Sequence, residues 1–430
     1  MKFGTVKKHP YLTMDARDFV IPKTDRRRHF VATALICLVG MAVGTPDAAA
    51  QPKHGNLNLG GVIFDLQSSF EAEFNDNINY SNQNKQADII LRPGITVSSF
   101  YQVSPLNSIS LDLGLSYQQY LFHPSLSSYA NFASVSPDSQ LAYTIKFDNV
   151  EVKLYDSFSY SVQPSDAFGL NPSTGQVITS VQAYGRLMNQ IGVNVDWNLK
   201  HVQLFAGVYR YDVFPQQSQF SYLRRWQYTG TAGFRYLMSQ SVTVGAGLSY
   251  TADYFQQPVN NNSHSWYLGP TLNWQINPHW TLDLSGGYVF YNFVDAGSIG
   301  DSSQPSTFTG SLTLTNQLTK KISHSLNISR TSNFGYVSNT INLDRVAYQI
   351  AWQFRSKWNA KFWAYYEQGT DSGGLLPETY NKYSFSPGLE YQANDRTTVY
   401  SYYEYSDKES NIGARSFDRN RIVLGLRYDW

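Results

Sequence analysis

Apolar and polar side chains alternate with a period of two residues through almost the whole chain from residue 62 onward. In residues 109–117, Ile, Leu, Leu, Leu and Tyr alternate with Ser, Asp, Gly and Ser, and the pattern recurs at 242–250, 280–290 and 346–354. A β-strand turns successive side chains to opposite faces, so the pattern indicates strands with one apolar and one polar face. A soluble β-sandwich contains a few such segments, whereas their repetition along this chain favours a barrel.

The alternating segments number 18, from 62–79 to 417–430, and most have 10–16 residues. Soluble strands average about 5–6 residues, whereas a tilted strand that crosses a bilayer needs about 9–11. No apolar run in residues 51–430 approaches the ~18 residues of a membrane helix. The sequence therefore predicts an all-β fold, a transmembrane antiparallel up-and-down barrel of about 18 strands, with 16 as the alternative count.

The connections between these segments alternate in length. Tight turns such as Asp148-Asn149, Lys200-His201 and Ser239-Gln240 alternate with longer links rich in Ser, Asn, Gln, Gly and Pro, such as 163–183 and 294–305. Short periplasmic turns and long surface loops are typical of bacterial outer-membrane barrels. Such a barrel must close, because lipid cannot pair a free sheet edge.

The amino-terminal region predicts a signal peptide over residues 1–50. Basic residues up to Arg28 precede the apolar run 30–44, and Ala48-Ala49-Ala50 precedes a predicted cleavage at Gln51. The only cysteine, Cys37, lies in this segment. Residues 51–430 then form a single cysteine-free barrel domain with 25 basic and 28 acidic residues, located in the bacterial outer membrane.

Aromatic residues make up 15% of the chain, and charged residues only 15%. This balance suits a barrel that carries aromatic girdles at both membrane interfaces. Aromatic side chains near predicted strand ends are candidates for the girdles: Trp266, Trp280, Tyr288, Trp352, Tyr365 and Tyr402. The chain is not basic enough to favour a nucleic-acid partner.

The last strand ends the chain on an aromatic residue. Apolar and aromatic residues occupy alternate positions counted back from the carboxyl terminus: Ile422, Leu424, Leu426, Tyr428 and Trp430. This pattern resembles the signal that the barrel-assembly machinery recognises, although Phe is the usual final residue. The resemblance implies that this machinery is a partner during biogenesis.

The first strands carry a family resemblance. The stretch EAEFNDNINYSNQNKQADIILRPGITVSSF, from Glu71 to Phe100, contains Asp76-Asn77 in a turn and Arg92-Pro93-Gly94 in the following strand. It resembles an outer-membrane β-barrel porin family, and the strand pattern extends the resemblance over most of residues 51–430. The resemblance implies an association with exopolysaccharide export.

Charged side chains of the first and last strands fall on the predicted interior face. They are Asp65, Glu71 and Glu73 in the first strand and Arg419, Arg421 and Arg427 in the last. Closure makes these strands antiparallel neighbours, with Glu71 and Glu73 level with Arg419 and Arg421 and Asp65 nearer Arg427. We expect interior ion pairs along this seam; unrelated solvated charges on a polar face are the alternative.

Other predicted interior charges mix signs, and they are Glu151, Lys153, Arg345 and Arg355. No single-sign ring emerges, so strong ion selectivity is not expected. An interior rich in Asn, Gln, Ser and Tyr suits neutral or weakly charged solutes, including saccharides. The histidines after residue 50 lie far apart and show no metal-ligand spacing, so neither a metal, a cofactor nor an enzyme activity is predicted.

Three functions remain open from the sequence. The first is a weakly selective porin-like channel for passive diffusion of small polar solutes. The second is a barrel component of an exopolysaccharide export or envelope-structural system, and the third is a secreted soluble β protein that binds glycans. Expected partners are outer-membrane lipid or lipopolysaccharide and the solute itself. Homotrimers are common among porins of this size, but the sequence does not identify a subunit interface.

Overall fold

The computed structural model describes residues 57–129, 134–135, 139–165, 169–170, 177–178, 182–257, 259–294, 297–298, 300–374 and 376–430. The predicted signal peptide lies outside these residues, as do parts of the predicted links 123–136 and 163–183. No helix in the described ranges is long and apolar enough to cross a membrane.

Eighteen long strands of 8–17 residues form the main sheet. They are β1 Val62–Asn75, β2 Asp88–Ser104, β3 Asn107–Ser116, β4 Ser139–Lys146, β5 Val150–Ser165, β6 Gln182–Asn198, β7 Val202–Pro215, β8 Arg225–Leu237, β9 Val242–Phe255, β10 Asn262–Asn277, β11 Trp280–Val294, β12 Thr307–Thr319, β13 Ile322–Phe334, β14 Thr340–Arg355, β15 Trp358–Asp371, β16 Thr379–Gln392, β17 Thr397–Ser410 and β18 Phe417–Asp429.

Each of these strands pairs antiparallel with the next one, and β1 pairs antiparallel with β18. The sheet is therefore a closed up-and-down barrel. The predicted fold class and the count of 18 are confirmed, and the alternative of 16 strands is wrong.

Short strands and short helices accompany the 18 long strands. The short strand Leu57–Leu59 folds back on β1 through Gly60 and Gly61, whose φ angles of 58° and 86° suit a tight two-residue hairpin. Among the described residues, the other short strands are Gln119–Tyr120, Ser134–Val135, Gly169–Leu170 and Val177–Ile178. The helices in these ranges lie in connections between long strands, and they are the α-helix Pro124–Tyr129 and the 3₁₀ helices Ser218–Leu223 and Gly413–Arg415.

The two ends of the barrel differ as the sequence predicted. At one end, which we call the turn end, connections such as 105–106, 199–201 and 320–321 have at most four residues. At the loop end, the connections are longer, as in 76–87 and 216–224. Strand β1 stops at Asn75 rather than at the predicted residue 79, because the next residues fold into a turn: Asn77 is buried and Tyr80 has a φ of 52°.

The strands have an apolar outer face and a polar inner face. In β18, Leu424 is 60% exposed, whereas its neighbour Val423 is fully buried, so the even-numbered positions of this strand point outward. Exposed aromatic side chains near the two ends form outer rings: Tyr228, Trp266, Tyr288 and Tyr366 toward the loop end, and Trp197, Tyr236, Trp274 and Trp352 toward the turn end.

Two of the predicted girdle residues are placed differently. Tyr402 is buried on the inner face, and Tyr365 stacks against the inward side chain of Arg345. The outward tyrosines are their neighbours Tyr366 and Tyr403. Consecutive tyrosines occupy both faces of a strand, so residue type alone could not assign the face.

Candidate functional site in the barrel interior

The interior wall has a neutral side and a charged side. Every inward position of β12 and β13 carries a hydroxyl or an amide: Thr307, Thr309, Ser311, Thr313, Thr315, Gln317, Thr319, Ser323, Ser325, Asn327, Ser329, Thr331 and Asn333. Asn327 links the two strands, because its Nδ2 donates to Ser311 Oγ at 3.0 Å and to Thr313 Oγ1 at 2.8 Å. Hydroxyls and amides both donate and accept, so this wall matches uncharged polar solutes.

The charged side is centred on Glu73, close to the seam where β1 meets β18. The Glu73 carboxylate lies 2.5 Å from Arg92 Nη1 and 2.8 Å from Arg421 Nη2, and it also accepts from Arg421 Nε at 3.0 Å. Glu73 is only 1% exposed. A carboxylate this deeply buried requires paired cations, and the two guanidinium groups supply them.

The network continues along β17 and β18. Glu404 lies 3.2 Å from Arg421 Nη1 and 2.5 Å from Arg419 Nη2. Arg419 also donates to the Tyr80 hydroxyl and lies 4.8 Å from the centroid of that ring. Acidic and basic groups therefore alternate from Arg92 to Arg419, and the charges within this network largely balance one another.

Glu71 joins the same network from the turn-end side. Its carboxylate accepts a hydrogen bond of 2.6 Å from the Tyr400 hydroxyl and lies 3.7 Å from Arg92. The structure thus brings together Glu71, Glu73, Arg419 and Arg421 in one network, with Glu73 bonded to Arg421.

Asp65 and Arg427 do not meet. The register places Ser69 opposite Arg427, and the last register pair of β1 and β18 is Gln67 with Asp429, so Asp65 lies beyond it. Arg427 donates instead to Thr398 Oγ1 at 3.4 Å.

The other predicted interior charges lie apart from the seam. Glu151 lies 3.5 Å from Lys146, and Lys153 donates to Gln140 at 3.0 Å, so these two residues do not pair with each other. Arg345 stacks over Tyr365 at 4.2 Å and over Trp363 at 5.5 Å from the ring centroids. Arg355 is exposed at the turn end.

Sequence reasoning missed four members of the network, namely Arg92, Tyr400, Glu404 and the loop residue Tyr80. Of these, Arg92, Tyr400 and Glu404 lie on the inner faces of strands next to the seam, opposite Glu71, Gly425 and Arg421 respectively. The alternation of Leu91, Pro93, Ile95 and Val97 in β2 was the available signal for Arg92, whereas in β17 consecutive tyrosines hide the alternation.

The residues of the predicted assembly signal occupy the outside of the seam. Ile422, Leu424 and Leu426 are exposed on the outer face. The backbone N–H of Trp430 donates to the Leu66 carbonyl at 3.0 Å, and its indole N–H donates to Ser68 Oγ at 3.2 Å. The carboxyl terminus therefore helps to join the last strand to the first. Across the described ranges, no cluster of three or more His, Cys, Asp or Glu side chains is arranged to hold a metal ion.

Comparisons with known proteins rest on structure. No family model and no curated protein matches the sequence. A BenF-like porin from Pseudomonas fluorescens Pf-5 is 10% identical, with a TM-score of 0.52 over 86% of this chain and 100% of that chain. OpdL of Pseudomonas aeruginosa is 12% identical, with a TM-score of 0.48 over 86% of this chain and 100% of that chain. The likeness to the BenF-like porin shows the fold.

Proposed function

We propose that this chain is an outer-membrane channel for the passive diffusion of small polar solutes, with weak selectivity. The observation that carries the proposal is the closed barrel of 18 strands with an apolar outside and a hydroxyl- and amide-rich inside. Barrels of 16–18 strands are wide enough for an aqueous channel. The BenF-like protein is a porin, and its likeness in fold supports the proposal.

The solute class follows from the interior. The neutral wall of β12 and β13 offers hydrogen bonds without a charge, and the seam network balances most of its own charge. We therefore propose neutral or weakly charged solutes, small saccharides among them. Many weak sites along a wall favour flux, because tight binding would hold the solute in place.

Conductance of the purified, refolded chain in planar lipid bilayers tests the channel. We expect open-channel steps, a reversal potential near zero in a salt gradient, and swelling of liposomes in neutral sugars. Asn327→Asp adds a charge to the interior wall and should shift the reversal potential toward cation preference. Ile328→Val, on the outer face of the same strand, is the control and should leave it unchanged. A folded barrel without conductance, in the wild-type chain and in every variant, would reject the proposal.

The outer membrane is the proposed location, with lipopolysaccharide around the barrel and the barrel-assembly machinery acting during biogenesis. Heat-modifiable mobility of the protein in outer-membrane fractions tests the location, and chemical crosslinking in those fractions tests a homotrimer. The likeness to a porin does not favour the exopolysaccharide-export component. If a deletion strain lost surface glycan while its permeability stayed unchanged, the export component would be favoured over the porin.

A further inference from the structure

The loops at one part of the loop end are tied together at a single carboxylate. Asp301, between β11 and β12, accepts hydrogen bonds from the backbone N–H of Asn339 at 2.8 Å, from the Ser372 hydroxyl at 2.8 Å and from the backbone N–H of Ser303 at 2.9 Å. Asn339 lies between β13 and β14, and Ser372 between β15 and β16. Burial raises the pKa of Asp301, but these hydrogen bonds lower it below its usual value, so the carboxylate stays ionised.

Two asparagine side chains reinforce this junction. Asn261, between β9 and β10, donates through Nδ2 to the Asp301 carbonyl at 2.7 Å and to Asn339 Oδ1 at 2.8 Å. Asn339 Nδ2 in turn donates to the Ser303 carbonyl at 2.8 Å. Four loops therefore share one hydrogen-bonded node, and both asparagines are buried in it.

Apolar and ionic contacts extend the junction to two more loops. Val337 is buried against Val259, Tyr336, Leu376 and Ile412. Tyr336 also packs on the buried cluster of Phe220, Tyr222 and Leu223 in the loop after β7. On the other side, the buried Glu378 lies 3.0 Å from Lys408 Nζ and 2.9 Å from Arg415 Nε. We call the described residues of these six connections, within 216–224, 256–261, 297–306, 335–339, 372–378 and 411–416, the lid.

The lid leans over the barrel interior. Arg225 begins β8 and Phe334 ends β13, yet the Arg225 guanidinium lies 4.7 Å from the centroid of the Phe334 ring. These strands are five positions apart, about 24 Å along the wall at the usual strand spacing. Phe255, which ends β9, also packs edge-on against Phe334 at 6.1 Å. Contacts this short require the loop ends of β8, β9 and β13 to converge above the interior, so this arc of the mouth is bridged.

We propose that the lid is a gate of the channel and that Asp301 is the latch that keeps it closed. This inference rests on the proposed channel function. Closed, the lid covers the mouth above the arc from β8 to β13, which includes the neutral wall of β12 and β13. Because two other loops donate to the carboxylate of Asp301, removing its charge weakens both ties together, and the loops can then swing outward on their strand ends.

Single-channel recording of Asp301→Asn in planar bilayers tests the latch. We expect the ratio of open to closed states to rise by about tenfold, as loss of a charge-assisted hydrogen bond would produce. Asp344→Asn is the control, because Asp344 is exposed on the outer face, pairs with Arg330 and does not contact the lid. Ser372→Ala removes a single donor and should give a smaller change in the same direction.

A crosslink separates gating from a general loss of structure. Val259→Cys and Val337→Cys place two cysteines in the packed lid, and Cys37 lies in the predicted signal peptide. In the Asp301→Asn background, joining them with a short bifunctional maleimide should restore wild-type conductance, and heat-modifiable mobility checks that each variant is folded. Equal conductance in wild type and Asp301→Asn, or no effect of the crosslink on Asp301→Asn, overturns the gate. No conductance in any variant overturns the channel itself.

Discussion

At the scale of single residues, Glu73 shows how the interior tolerates charge. It is buried among Arg92 and Arg421, which come from strands on either side of β1. Removing the carboxylate would leave two guanidinium groups close together without their shared partner. We infer that Glu73 stabilises the seam by pairing these two guanidinium groups and not by packing in an apolar core.

We expect Glu73→Gln to lower the free energy of unfolding by about 3–5 kcal/mol, the usual cost of breaking a buried ion pair. The measurement is a urea titration in detergent micelles followed by heat-modifiable mobility. Asp418→Asn is the control, since Asp418 pairs with Lys85 at 2.6 Å on the surface and should change the stability by less than ~1 kcal/mol. Equal losses in the two variants would contradict the role of burial.

At the scale of elements, inward aromatic side chains pack against glycines of the neighbouring strand. The pairs are Tyr155 with Gly192, Phe205 with Gly233, Tyr267 with Gly287, Tyr380 with Gly369, and Tyr400 with Gly425. In each pair, a Cβ on the glycine would overlap the ring. The missing side chain of each glycine therefore leaves room for a large aromatic ring on the inner face.

Gly233→Val should destabilise the barrel by about 1–3 kcal/mol, because the added side chain collides with the Phe205 ring and the Ala246 carbonyl. Gly230→Ala, on the outer face of the same strand, is the matched control. Its Cβ would meet only Val208 Cγ1, at 4.0 Å, and the change should stay within ~0.5 kcal/mol. Thermal unfolding followed by gel mobility compares them, and a stable Gly233→Val barrel would refute this packing role.

At the scale of the whole molecule, the two faces of the barrel wall are suited to different surroundings, an apolar one outside and a polar one inside. The outer positions of β12 meet lipid in the proposed location, while the inner positions meet the interior. Leu312 and Thr313 are consecutive residues near the middle of this strand, with Leu312 opposite Leu284 and Thr313 opposite Asp283. Substitutions at these two residues therefore compare the outer and inner faces of the barrel wall at the same level.

Leu312→Lys should cost about 2–4 kcal/mol of stability in lipid bilayers, as expected for a lysine on the lipid face near the midplane. Thr313→Lys should cost far less, because the interior is polar and Asp283 lies beside it. Urea unfolding in liposomes measures both changes. Similar costs for the two substitutions would argue against a lipid-embedded outer face.

The sequence determined the architecture because the pleat of a strand is a local property. Alternation in segments such as 109–117 predicted strands and their faces, and the alternation of tight turns with long links predicted the two ends of the barrel. The inward placement of Glu73 and Arg421 also followed from this period. The inward placement of Tyr365 and Tyr402 did not follow from the period, because an adjacent tyrosine occupies the other face of each strand.

Only the tertiary structure decided which groups meet. Glu73 and Arg421 are 348 positions apart, and their bond depends on the register with which β1 closes onto β18. The same register, and not residue type, keeps Asp65 from Arg427. The junction of Asp301 with Asn339 and Ser372 likewise depends on how separate loops fold over the mouth, and no local period connects them. Strand alternation depends only on residues that are neighbours in the sequence, whereas register and loop packing arise only when the barrel closes.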